Sequence, residues 1–292
     1  MKTGFTNYHG HCHYCDGKGS AASYAEAAVG KGMPAYGFSS HAPLPLDVLW
    51  TMKEAQLPDY VEEIEEVRQQ YADQIEIYRG LEVDYIMGIS GPSHERLKAA
   101  DLDYTIGSVH FVDWFQDGRP WEIDGAHMRF LEGLDDIYHG DVQEAVERYF
   151  ALTCQMVEQD PPDIVGHLDK IKIQNEDGSL FTENANWYRE AVENCLLMIA
   201  RKGLIVEINT RGIYKKKSIE TYPSPWIISR MKALDIPVMI NSDAHQPSEI
   251  SECFEETAAL LLESGYESCR VLWQGKWQDL ELTPQGLIYA KP

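Results

Sequence analysis

IPVMINSDAH, residues 236–245, is a short apolar run that ends in an aspartate and a histidine. Its first half has the apolar character of a strand covered on both faces, and Asp243 and His245 fall where that strand would stop. The same arrangement recurs along the chain. His41 follows AYGFSS (35–40), Glu82 lies near the end of IEIYRGLEV (75–83), and His110 lies near the end of DYTIGSVHF (103–111). His167 lies in DIVGHL (163–168), and Glu207 in LIVEINT (204–210). Earlier, NYHGHCHYCDG (7–17) places His9 and His11 at the close of a first such segment and Asp16 in the loop beyond it.

Helix-like segments separate these runs. They are SYAEAAVGKG (23–32), LPDYVEEIEEVRQQYAD (57–73), DVQEAVERYFALTCQMVEQD (141–160), NANWYREAVENCLLMIARKG (184–203), SPWIISRMKAL (224–234) and CFEETAALLLESG (253–265). Gly203 reads as a C-terminal cap of the fourth. Alternating β and α segments predict an α/β fold in which parallel strands close into a barrel, and such a barrel gathers its C-terminal strand ends on one face. Residues far apart in the chain then meet at a single site. The two runs in SCRVLWQGKWQDLELT (268–283), placed around QGK, predict a C-terminal hairpin at about 268–292, and no linker divides the chain, so residues 1–292 read as one domain. Asp113–Asp141 is expected to be an irregular insertion beside the site.

Imidazoles and carboxylates together, without an obvious nucleophilic serine or a second cysteine pair, are donors suited to zinc, manganese or iron. Their number exceeds what one ion needs. Two or three divalent ions are expected, with Glu82 able to bridge a pair. His94, His127 and His139 lack the strand-end placement and read as structural. Cys12 and Cys15 form a C-x-x-C, read as small side chains in a tight loop, and His13 has no assigned role. DGKGS (16–20) lacks the spacing of a nucleotide P-loop.

The 292 residues carry a net charge of −22, which disfavours nucleic acid and anionic membranes as partners. No apolar run is long enough to span a bilayer, and the scattered cysteines suit reduced thiols, so a cytoplasmic location is expected. An anionic substrate would then need a local reversal of sign, which bound metals supply.

In combination these motifs resemble the polymerase and histidinol phosphatase (PHP) superfamily of metal-dependent phosphoesterases. The opening H-x-H is similar to its first motif. SSHAPLP, GLEVDY, GSVHF, VGHLDKIK, EINTRG and NSDAH then follow, in order, motifs of its histidinol-phosphate phosphatase branch, over about the first 250 residues. The resemblance implies a distorted TIM-like (β/α)7 barrel with its metal site at the C-terminal strand ends. It also implies three sites: His9, His11, Glu82 and Asp243 for the first ion; Glu82, His110 and His167 for the second; Asp16, His41 and His245 for the third. Glu207 and Asn209 would support them from behind. Asn7 stands where the family usually has Asp and is expected to accept a hydrogen bond from a ligand imidazole. Cys12 and Cys15 replace usual hydroxyls, and a thiolate there would compete for zinc.

The expected activity is hydrolysis of a small phosphomonoester, L-histidinol phosphate in histidine biosynthesis, by attack of a metal-bound hydroxide on phosphorus. Glu82 serves this as bridging carboxylate, and Asp243 and His245 are placed to protonate the leaving group, a role left open. Arg211 is the first candidate to clamp the phosphate because guanidinium matches its geometry, followed by Lys170 and Lys172. Trp121, Glu122 and Tyr214 are candidates for meeting the imidazole and amino group. Two rivals stand beside this reading: a phosphoesterase of the same superfamily acting on a nucleotide, an oligonucleotide end or a sugar phosphate, and a non-catalytic metal-binding barrel.

Overall fold

The computed structural model describes residues 1–290, so the last two residues of the expected C-terminal segment lie outside it. In chain order the elements are β1 (Lys2–Gly4), α1 (Ala21–Gly30), β2 (Ala35–Phe38), α2 (Leu57–Gln70), β3 (Glu76–Asp84), β4 (Tyr104–Ser108), β5 (Phe111–Trp114) and β6 (Pro120–Glu122). Then come α3 (His127–Tyr138), α4 (Val142–Gln159), β7 (Ile164–Val165), α5 (Asn186–Lys202), β8 (Ile205–Asn209), α6 (Arg211–Tyr214), α7 (Pro225–Ala233) and β9 (Val238–Asn241). The chain closes with α8 (Phe254–Glu263), β10 (Ser268–Trp273), β11 (Lys276–Thr283) and β12 (Gly286–Tyr289). No helix among the described residues is long and apolar enough to cross a membrane.

Six strands form one parallel sheet in the order β2-β3-β4-β7-β8-β9. Between its two edges runs the segment Asn7–His11, bridged to Tyr36 of β2 on one side and to Ala244, just past β9, on the other. The anticipated first strand is therefore a pair of isolated bridges. Backbone bonds tie it to both edges, from the Gly37 N–H to Asn7, the Ser39 N–H to Gly10 and the His11 N–H to Ala244, and side chains complete the pairing. Asn241 accepts from the Tyr8 N–H at 2.8 Å, Asn7 from the His9 N–H at 3.1 Å, and Ser39 from the Gly10 N–H at 3.2 Å. These bonds satisfy buried donors that a regular strand would have paired with its neighbours.

The interior of the curled sheet is filled by tyrosines. Tyr104 lies against Tyr8 edge to face, with ring centroids 5.8 Å apart, and its hydroxyl lies 2.6 Å from the Tyr8 carbonyl oxygen. Two strand glycines make the room: a Cβ on Gly37 would come within 2.4 Å of the Tyr104 hydroxyl, and one on Gly80 within 2.5 Å of its ring. Outside, helices lay apolar stripes on the sheet; in α2 the buried residues are Leu57, Tyr60, Ile64 and Val67, at helical spacing. Gly203 sits at φ 68° after α5, as a C-terminal cap requires.

The C-terminal run forms a hairpin, β10–β11, whose turn residues Gln274 and Gly275 both have positive φ. β12 then pairs with β11 and with β1, making a four-stranded antiparallel sheet. It covers the end of the barrel opposite the strand-end ligands: the Gln274 N–H donates to Glu76 at the start of β3, and the Tyr8 hydroxyl donates to the Leu272 carbonyl at 2.6 Å.

The insertion expected to be irregular is largely ordered. It contains the β5–β6 ribbon and α3, which the sequence reading did not assign. α3 buries Phe130, Gly133, Leu134 and Tyr138 and sits so close to Trp121 that a Cβ on Gly133 would come within 2.1 Å of the indole.

Candidate metal centre

The strands deliver their ends to one place. His9 and His11 leave the bridging segment, His41 pairs with Glu82 just past β2, Glu82 sits in β3, and His110 and His167 each lie two residues beyond β4 and β7. Asp243, at a left-handed φ of 53°, and His245 follow β9. Asp16 is carried in by the loop before α1.

Donor atoms gather into groups whose members all lie within 4.8 Å of one another: His9, His11 and Asp243; Glu82, His110 and His167; His11, Asp16, His41 and His245. Glu82 ties the first two together. One of its oxygens lies 3.3 Å from His9 Nε2 and 3.5 Å from His11 Nε2, and the other 2.9 Å from His167 Nε2 and 3.7 Å from His110 Nε2. On the far side, Asp243 Oδ1 is 3.3 Å from His11 Nε2, and Asp16 lies 3.2 Å from His245 and 3.8 Å from His41. All nine expected ligands are thus brought together.

Whether this set suits metal ions is answered by its hydrogen bonds. The Nε2 atoms of His9 and His11 are buried and have no hydrogen-bond partner. A buried imidazole nitrogen left unpaired costs about 1–3 kcal/mol, whereas a divalent cation uses that lone pair. Burial alone would raise the carboxyl of Glu82, but His9, His41 and His110 hold it well below the usual range; for Asp243 the same opposition is won by His9 and Arg211. Both stay ionised as hard oxygen donors. The donor set fits divalent ions.

Behind the donors stands a second layer. Glu207 is fully buried and takes four hydrogen bonds: from His9 Nδ1 at 2.8 Å, Asn241 at 3.0 Å, the His167 N–H at 2.8 Å and Asn209 at 2.9 Å. That fixes the His9 tautomer so that Nε2 points inward. His110 is held likewise by Asp84, 2.8 Å from its Nδ1, and this partnership raises His110 to about 9 against the effect of burial. Asp84 was missed in the sequence although it stands two residues after Glu82, on the same face of β3.

Several expectations need correction. Asn7 does not meet an imidazole; its oxygen accepts from the backbone of His9 and Ser242, because Glu207 already occupies His9 Nδ1. Cys12 is buried with its thiol pushed up to about 11, chiefly by burial, and Cys15 is pushed up to about 12 for the same reason. Neither falls in one of the donor groups, and Cys15 Sγ lies behind His11, 3.6 Å from its Nδ1. His13 faces outward towards Glu63.

Lys172 is not in the substrate cavity. Its ammonium is buried between Asp169, 2.9 Å away, and Glu220, also at 2.9 Å, and donates to the Thr221 carbonyl and Ser224. Trp121 is core, donating to the Phe130 carbonyl. Tyr214 braces the site, its hydroxyl donating to the Ser242 carbonyl at 2.9 Å.

A cavity of about 460 Å³ opens onto the donors, and its lining includes Lys170, Arg211, Lys215 and Lys217 together with Glu122, Asp124 and Trp50. Lys170 lies 3.1 Å from Asp124, and Arg211 donates to the Asp243 carbonyl at 2.8 Å. Asp124 was not anticipated. Glu122 accepts from the Trp50 indole at 3.2 Å, and burial together with Asp124 raises its carboxyl.

A parallel barrel with clustered imidazoles and carboxylates at its strand ends, open to a charged cavity, defines the class of metal-dependent barrel hydrolases. The particular family follows from comparison: the PHP domain model matches residues 7–211, and the chain belongs to that family. It is 30% identical over 266 residues to a Deinococcus radiodurans protein named as a probable histidinol-phosphatase, covering 90% of this chain and 95% of that one. It is 28% identical to the Bacillus subtilis histidinol-phosphatase, over 80% of this chain and 89% of that one. Among solved structures, histidinol phosphate phosphatase from Lactococcus lactis, complexed with zinc, L-histidinol and phosphate, shares the fold with a TM-score of 0.62 at 17% identity, covering 98% of this chain and 99% of that one. The hisK crystal structure from Listeria monocytogenes does so with a TM-score of 0.75 at 20% identity, covering 86% and 99%.

Proposed function

We propose that this protein is a metal-dependent histidinol-phosphatase that hydrolyses L-histidinol phosphate to L-histidinol and phosphate. The observation that carries this reading is the make-up of the cavity: cationic side chains, carboxylates and an indole share one lining with the donors Asp16, His41, Asp243 and His245. The curated relatives carry the same activity in their names.

His9, His11, Glu82 and Asp243 would hold one ion, Glu82 with His110 and His167 a second, and Asp16, His41 and His245 a third. Zinc is supported by the Lactococcus lactis complex; manganese and iron suit the same donors. When bound, divalent ions acidify water to near neutral pKa and offset the negative charge of the phosphoryl group. The chain's own groups do the rest. Glu207 and Asp84 hold Nδ1 of His9 and His110 and so orient their Nε2 atoms towards the ions. Lys170 and Arg211, both fixed by carboxylate or carbonyl partners, present charge to the phosphate without further ordering.

In the same lining, Glu122 and Trp50 would meet the substrate's ammonium and imidazole. A nucleotide or sugar phosphate carries no cation for Glu122, which favours the amine over those alternatives. The test is phosphate release from a panel of monoesters by protein loaded with zinc, manganese or iron. Histidinol phosphate should be turned over fastest, and a chelator should abolish release. Preference for a nucleotide or sugar phosphate would overturn the substrate, and loss of metal without loss of activity would overturn the mechanism.

A further inference from the structure

Tyr222 has a hydroxyl that nothing in the protein uses. The residue is 2% exposed, and its hydroxyl is buried without a hydrogen-bond partner. Such a group costs more than an apolar replacement would, unless something absent from the polypeptide completes it.

The side chain is held firmly in place. Its backbone exchanges two hydrogen bonds with Asn209 at the end of β8, at 2.7 and 3.0 Å. A Cβ on Gly212 would come within 2.8 Å of the ring edge, so glycine there is what lets the ring lie flat against α6. Lys172 caps it, with its ammonium 5.4 Å from the ring centre. The buried lysine excluded from the cavity thus acts as a support for this tyrosine.

Tyr222 lines the same cavity as Lys170, Arg211, Asp243 and His245. Tyr24, Tyr36 and Tyr188 also have buried hydroxyls without partners, but none of them lines this cavity. We propose that the Tyr222 hydroxyl is a phosphate-binding group, donating a hydrogen bond to a non-bridging phosphoryl oxygen beside Lys170 and Arg211. Burial pushes its ionisation well above the ordinary range, which keeps the phenol a neutral donor throughout the working pH range. A neutral donor complements the two cations by direction rather than charge, and fixes which oxygen faces the metal floor.

This inference rests on the cavity being the phosphomonoester site, and inorganic phosphate tests it without requiring turnover. Tyr222→Phe and, as control, Tyr188→Phe would be prepared as the full metal-loaded chain. Phosphate affinity would be measured by calorimetry, metal content by elemental analysis, and Tm with and without phosphate. Tyr222→Phe should weaken phosphate by about tenfold, the worth of one good hydrogen bond. It should also lower kcat/KM for histidinol phosphate by at least as much, leave metal content intact, and leave the phosphate-free Tm unchanged or higher. The Tyr188 variant should bind phosphate normally. Equal phosphate affinity in Tyr222→Phe and wild type would overturn the proposal, as would a fall in phosphate-free Tm with loss of metal, which marks a structural hydroxyl. If wild type fails to hydrolyse histidinol phosphate while phosphate binding still depends on the hydroxyl, the substrate assignment falls and the role of Tyr222 stands.

Discussion

Replacing Glu207 by glutamine keeps size and shape but changes what the site can hold. The carboxylate offers two oxygens to four donors, with His9 Nδ1 and Asn241 on one and the His167 N–H and Asn209 on the other. An amide has one oxygen, so in either orientation two donors face an NH2 group. If the NH2 faces His167, a backbone N–H with no alternative is orphaned. If it faces His9, the imidazole can shift its proton to Nε2, the atom that points at Glu82 and Asp243, and it then ceases to be a metal donor. Hydrogen bonds to a buried charge contribute about 1.5–3 kcal/mol each, so losing two should cost at least ~3 kcal/mol in the first orientation. In the second the stability loss is smaller and metal affinity falls, by about 10–100-fold for a lost partner of a ligand histidine. Urea unfolding of the metal-free protein and competitive chelator titration measure the two quantities. Burial opposes charge on Glu207, yet His9 holds its carboxyl below the usual range. A depressed folded-state pKa gives stability that is full above the unfolded value of about 4.3 and lost as pH falls through the folded one. The variant should lose that acid-side dependence. Unfolding free energy within about 0.5 kcal/mol of wild type, combined with metal affinity within about threefold, would refute the reasoning.

Three further outcomes are expected. Glu122→Gln should raise KM for histidinol phosphate about tenfold, as a charged hydrogen bond is weakened, while leaving an ester without an ammonium group nearly unaffected; steady-state kinetics with both substrates decides it. Lys172→Met should destabilise the fold by about 3–5 kcal/mol in urea unfolding, because Asp169 is left as a buried unpaired carboxylate. Gly80→Ala should cost about 1–3 kcal/mol by pressing a methyl group into the Tyr104 ring, read as a drop in Tm with metal content unchanged.

The donors were legible because a polar residue closing an apolar run announces itself, and because parallel strands bring their ends together regardless of separation. Asp84 carried the same signal two residues beyond Glu82 and was passed over. Lys172 was misplaced for a geometric reason. Lys170–Gln174 is a 3-10 turn, and at three residues per turn positions two apart point in different directions, so only Lys170 reaches the cavity. α3 was passed over because a glycine interrupts its interior; Gly133 is there for Trp121, a packing demand that only the tertiary structure displays. The bridging segment reads as a first strand in the sequence; backbone bonds to both edges do pair it, but side chains on Asn7, Ser39 and Asn241 complete that pairing, and no local pattern encodes them.

That segment also has a consequence for the order in which the molecule assembles. His9 and His11 precede every strand of the parallel sheet, yet Asn7 is held by Ser242 and Ile250, and His11 bonds back to Ala244. During synthesis this thiol- and imidazole-rich segment therefore lacks its partners beyond β9, the nearest of which, Ser242, follows Asn7 by 235 residues. Contacts of such long sequence separation form late. The donor cluster is completed just past β9, the last strand of the parallel sheet, so the barrel is closed and the cluster assembled in the same event.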